Sequence, residues 1–79
     1  MTMSYSILDT VVLVRDVPEH DLRAGDLGAV VELYASDSLE VEFVTASGRT
    51  KALVTLKFAD VRPIADTDLV AVRSLDRSA

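Results

Sequence analysis

Apolar and polar residues alternate most strictly between Leu39 and Phe58. In "LEVEFVT" (39–45), Leu39, Val41 and Phe43 fall on one face and Glu40 and Glu42 on the other, the period of a half-buried strand. "TKALVTLKF" (50–58) continues the pattern, with Ala52, Val54 and Leu56 opposing Leu53, Thr55 and Lys57. "TVVLVRD" (10–16) and "GAVVELY" (28–34) are dense in β-branched residues and too short for lone helices. "VRPI" (61–64) makes a short fifth strand, which Pro63 confines to an edge. The predicted core contains Val12, Val14, Val31, Leu33, Val41, Phe43, Val54 and Leu56. A bulge in either of the first two strands would invert its faces.

The connections sharpen this into an architecture. "ASDS" (35–38) and "ASGR" (46–49) are polar turns of hairpin length, and Gly48 supplies the positive φ such turns need. Strands two, three and four therefore form an antiparallel meander. The link "VPEHDLRAGDL" (17–27) is longer, and "FAD" (58–60) suits a single 3₁₀ turn. Gly25 is expected at positive φ where the long link turns back, with Asp26 accepting hydrogen bonds from turn amides. Gly28 lets the second strand start close to a neighbouring backbone. A phosphate-cradling loop would want more glycines and a following helix, whereas a strand follows here. Five short strands joined by polar turns mean an all-β barrel or sandwich. Three stretches follow: an N-terminal segment (1–8), the strand-rich domain (9–64) and a C-terminal extension (65–79).

The extension leaves two readings open. Thr67 or Asp68 could cap a short helix bearing Leu69, Val72 and Leu75, while Val70 and Val72 also permit a sixth strand. Either way its apolar side chains are expected to dock, on this domain or on a second copy as a symmetric homodimer. Residues 76–79 are expected to fray.

Charge narrows the function classes. The net charge is −5, with −4 on residues 1–34, 0 on residues 35–64 and −1 on residues 65–79. That balance opposes the counterion release on which nucleic-acid binding depends. It suits a basic protein partner, or simply solubility. The four aromatics are two tyrosines and two phenylalanines, too few for a stacking platform or a proline-binding groove once Phe43 and Phe58 are in the core. The chain has no cysteine, which fits a cytoplasmic protein and excludes a disulfide framework. Residues 1–9 lack the basic start and apolar run of a signal peptide, and no apolar run approaches a membrane span.

Chemistry is sparse. His20 is the only histidine, flanked by Glu19 and Asp21 in an acidic link. Asp16, Glu19, His20 and Asp21 match no calcium or zinc spacing, so a solvated loop is expected and no metal or cofactor is assigned. Glu40 and Glu42 lie two apart on the outward face, where Arg49, Lys51 and Lys57 of the next strand are expected to pair with them. No catalytic set emerges, and the expectation is a protein without enzymatic activity. Glu19, His20, Asp21, Leu69, Val72 and Leu75 are the candidate interaction surface.

Several of these residues also carry a resemblance. Residues 9–14, Asp16 with Pro18 and Glu19, Leu22, Gly25-Asp26, Gly28 and Val30-Val31-Glu32 resemble a bacterial domain-of-unknown-function family of small stand-alone proteins. Val41-Glu42-Phe43, Gly48-Arg49 and residues 52–56 continue it, so that it spans about residues 8–64. The G-D-x-G-x-V stretch is similar to SH3-like barrels of the KOW type. The resemblance implies a small SH3-like barrel of about five antiparallel strands, and an accessory or antitoxin-like partner protein. A KOW-type RNA-binding module is the alternative it implies. Residues 65–79 depart from the family's usual short ending.

Overall fold

Strict alternation in the middle of the chain produces the core of the fold. A computed structural model describes residues 4–76. Five strands form one antiparallel sheet: β1 (Thr10–Leu13), β2 (Leu27–Tyr34), β3 (Ser38–Val44), β4 (Thr50–Lys57) and β5 (Val61–Pro63), in the order β4-β3-β2-β1-β5. The sheet is open, with β4 and β5 as its edges. The expected 3₁₀ turn spans Phe58–Asp60, and a second covers Pro18–His20.

Strands β3 and β4 follow the alternation residue by residue. Leu39 faces Leu56, Val41 faces Val54 and Phe43 faces Ala52, and all six are buried. Strands β1 and β2 do not follow the expected alternation. A bulge between Val30 and Glu32 adds one residue to β2, so Val30 is fully buried where Val31 had been expected. Beyond the bulge Leu33 returns to the face of its partner Leu39, but at the end of the sheet, where it is 38% exposed. In β1 the buried residues are Val11, Val12 and Leu13, while Val14 is 47% exposed. The chain leaves the sheet after Leu13, and the Val14 amide donates to the Asp60 carbonyl instead of to a strand.

Two stretches outside the strands also enter the core. Val17 and Leu22 exchange both backbone hydrogen bonds across a four-residue loop and are buried. The long link is thus a closed lobe whose two apolar ends plug the core. Tyr5 is buried as well, its ring edge-on to Phe58 with centroids 5.1 Å apart. The Leu8 amide donates to Val30 and the Val30 amide to Asp9, which binds this N-terminal segment to β2 opposite the bulge.

The extension forms neither of the expected elements. Among the described residues, 64–76 contain no helix and no strand. Asp68, a proposed helix cap, instead closes a turn by accepting the Ala65 amide and holds the Arg62 guanidinium. A single helical turn without a packed face has too little to sustain it. Residues 77–79 lie outside the described residues.

Gly28 and Gly25 act for different reasons. Gly25 sits at φ +97°, as the turn requires. At Gly28 a Cβ would collide with Val41 Cγ1 and come within 2.9 Å of the Phe43 ring. The close neighbours are therefore side chains of β3 rather than the backbone expected from the sequence. Gly28→Ala is expected to destabilise by about 1–3 kcal/mol through overpacking. Gly48→Ala, at φ +86° with open space around it, is expected to cost about 1 kcal/mol in backbone strain. Urea unfolding of both variants tests the ranking, and equal losses would refute the packing role of Gly28.

Candidate interaction site

The lobe that precedes β2 is built by carboxylates closing backbone turns. The Asp16 Oδ1 accepts the Ala24 amide at 2.9 Å, and Asp26 Oδ2 accepts the Arg23 amide at 2.8 Å. The expected turn role of Asp26 is therefore present. The Leu13 amide also donates to the Asp26 carbonyl, and the Gly25 amide to the Leu13 carbonyl, fixing the lobe against the end of β1.

Asp26 has a second task that its neighbours in sequence do not reveal. Arg73, 47 residues later, grips the same carboxylate with a fork: Nε to Oδ1 at 2.8 Å and Nη2 to Oδ2 at 2.6 Å. Nη2 also donates to the Asp21 carbonyl at 2.9 Å. The Arg73 hydrogen bonds, and then the Arg23 amide, hold the Asp26 carboxyl below its ordinary value against the opposing effect of burial. Arg73 is raised in turn, mainly by Asp26, with Asp21 and Asp16 adding to the field. This brings the extension onto the lobe, where Leu75 lines a depression with Asp21 and Leu22.

Of the six predicted surface residues, the structure gathers Asp21 with Leu75 in that depression and Val72 with Leu75 along a second one, and leaves Glu19, His20 and Leu69 apart. Glu19 and His20 are exposed in the 3₁₀ turn at the tip of the lobe. Leu69 and Val72 are 96% and 97% exposed, so they do not dock on the domain. What fastens the extension is charge rather than apolar packing. Arg62 and Asp68 form a second fork, with Nη2 to Oδ1 at 2.8 Å and Nη1 to Oδ2 at 2.9 Å. Arg15 and Asp60 form a third ion pair at 2.8 Å, tying the end of β1 to the turn before β5.

The outward face of the sheet corrects the expected cross-strand ion pairs. Register sets Glu40 opposite Thr55 and Glu42 opposite Leu53, so no lysine stands across from either. Glu40 accepts the Thr55 hydroxyl at 2.6 Å and the Tyr34 hydroxyl at 3.3 Å, and Glu42 accepts the Thr50 hydroxyl at 2.6 Å. Among the described residues neither glutamate forms an ion pair, and neither do Arg49, Lys51 and Lys57. On the other side Glu40 faces Glu32 directly, because the bulge restores Glu32 to the outer face. The bulge itself was the missing information. Three acidic residues, Glu32, Glu40 and Glu42, thereby share one face.

Sequence reasoning missed Arg15, Arg62 and Arg73 as partners of Asp60, Asp68 and Asp26. A local signal existed for half of each pair. "RAGD", "KFAD" and "ADTD" each place an aspartate three residues after the amide it accepts, as "SILD" does for Asp9. Nothing local names the arginine.

The chain matches the family described as Domain of unknown function (DUF4926) over residues 7–63, and it belongs to that family. No curated protein and no solved structure matches it. Among the described residues no helix is long and apolar enough to cross a membrane.

The ion pairs predict an acid limb of stability. Asp68 is lowered from its ordinary 3.8 to about 2, chiefly by the Arg62 hydrogen bonds and then by the Ala65 amide. Asp26 and Asp60 are lowered for the same kind of reason. A carboxyl depressed in the folded state contributes stability above its unfolded value and loses it as pH falls through the folded one. Stability is thus expected to drop between about pH 4 and pH 2, and less steeply in Asp68→Asn. Urea midpoints at pH 5, 3 and 2 measure this, with the Asp68 carboxyl followed by NMR. Parallel pH profiles for the two proteins would refute the assignment to Asp68.

Proposed function

We propose that this member of the family is a non-catalytic interaction module whose acidic sheet face receives a basic protein partner. The observation that carries the reading is the direct cross-strand pairing of Glu32 with Glu40, with Glu42 on the same face. Like charges placed opposite each other across an antiparallel pair cost stability. Local conflicts of this kind are expected at functional surfaces, where the compensating charge comes from outside. Lys51 and Lys57 stand on the same outward face of β4 but form no ion pair with these glutamates, so the three carboxylates remain open to a cation from outside.

The strand arrangement supports an SH3-like fold for the module. A β2–β3–β4 meander carries β1 and β5 beyond a bulged β2, and a 3₁₀ turn precedes β5. An accessory or antitoxin-like role in the cytoplasm rests on the family resemblance alone, and it agrees with carboxylates that meet a basic surface. Among the described residues Tyr34 is the one aromatic on the face of these glutamates, its hydroxyl on Glu40. That setting speaks against single-stranded RNA, which needs a basic groove and several stacking rings.

The test is an NMR titration of labelled protein with a short lysine- and arginine-rich peptide and, separately, with a single-stranded RNA oligonucleotide. Amides of Glu32, Tyr34, Glu40, Glu42 and Thr55 are expected to shift with the peptide and not with the RNA. The double variant Glu40→Gln/Glu42→Gln should weaken peptide binding about fivefold, at about 0.5 kcal/mol for each exposed charge contact. Salt-resistant RNA binding with no response to the peptide would overturn the reading.

A further inference from the structure

The segment between Asp68 and Arg73 is held at both ends and covered nowhere. Asp68 is fixed by Arg62 and the Ala65 amide, and Arg73 by Asp26 and the Asp21 carbonyl. Between these anchors Leu69 and Val72 are the most exposed large apolar residues among those described, at 96% and 97%, and Val70 is 69% exposed. Among the described residues no backbone group from Leu69 to Val72 is hydrogen bonded to another backbone group. The stretch is thus apolar, exposed and without backbone pairing among the described residues. A solvated linker would be expected to carry polar residues instead.

We propose that residues 73–76 exchange between two copies of this chain, with residues 69–72 as the hinge. The seat of Arg73 is the Asp26 carboxylate in the turn before β2, and an identical Arg73 from a twin makes identical contacts there. Exchange therefore leaves every anchoring interaction in place and changes only the course of the hinge. In the exchanged dimer the two hinges run antiparallel across the two-fold axis. Leu69, Val70 and Val72 of each copy cover those of the other, and the free backbone groups gain partners. This inference is independent of the basic-partner reading, because Asp26 and Arg73 lie on the lobe and the extension rather than among the glutamates of the sheet face.

Reciprocal charge reversal tests it. In Asp26→Arg the seat repels Arg73, and in Arg73→Asp it repels the new carboxylate, whether the tail comes from the same chain or a twin. Each variant alone is therefore expected to be monomeric by analytical ultracentrifugation. Mixed, they restore opposite charges only between chains, so a heterodimer is expected. A mixture of folded variants, checked by circular dichroism, that stays monomeric overturns the proposal.

Because Asp26 also closes a turn, its variant can fail to fold, and a second experiment leaves the seat intact. The chain has no native cysteine, so Ala71→Cys places a single thiol at the middle of the hinge. Mild oxidation is expected to give a covalent dimer far faster than with Ser36→Cys in the exposed β2–β3 turn. Equal rates for the two thiols would overturn the exchange. Rapid cross-linking of Ala71→Cys combined with a monomeric mixture of folded reversal variants would show hinges that touch without exchange, and it overturns the proposal equally.

Discussion

A carboxylate that accepts the amide three residues before it closes the corners of this protein outside its two hairpin turns. It occurs at Asp9, Asp26, Asp60 and Asp68, each time at a corner where the chain enters or leaves a strand. Such a turn satisfies a backbone donor that no strand can reach. At three of the four corners an arginine from elsewhere takes the same aspartate: Arg73 on Asp26, Arg15 on Asp60 and Arg62 on Asp68. Local turn closure and long-range fastening thus share one side chain at Asp26 and Asp60, while Arg62 reaches Asp68 from six residues away. In an open sheet with no disulfide, these corners hold the lobe, the 3₁₀ turn and the extension in place.

The apolar core and the charged fastenings divide the work along the chain. The sheet is organised by the close approach of β2 to β3 at Gly28, where Val41 and Phe43 fill the space a side chain would need. Val17 and Leu22 seal one end of this core, and Tyr5 with Phe58 packs against it as well. The extension adds little apolar burial of its own. It is attached by forks of arginine and aspartate, which in partly exposed positions contribute modestly and respond to pH and salt. The result is a domain with a fixed body and an appendage held by weaker forces.

Those two regimes separate the two proposed surfaces. The acidic face lies on the body, where strand register fixes the positions of Glu32, Glu40 and Glu42 whatever the extension does. The tail proposed to exchange lies on the appendage, where the anchors are partly exposed ion pairs and residues 69–72 carry exposed aliphatic side chains. The proposed basic partner and the proposed second copy would therefore engage different elements.

Much of the fold is legible in the residues alone, where the information is local. Alternation over 39–45 and 50–58 determined both faces of β3 and β4, because each side chain's side follows from its neighbour's. Gly25, Gly48 and the 58–60 turn were likewise set by local backbone requirements. The faces of β1 and β2 were not legible, since runs of valine carry no alternation and a one-residue bulge is specified by the strand alongside. The burial of Val17 and Leu22, the bareness of Leu69 and Val72, and the choice of Asp26, Asp60 and Asp68 as arginine seats were decided by tertiary structure. The Arg15 and Arg73 pairs join residues 45 and 47 apart, and the chain brings such groups together only after the sheet has formed. Spacing along a sequence encodes direction within one element, while the meeting of two elements depends on how all of them pack.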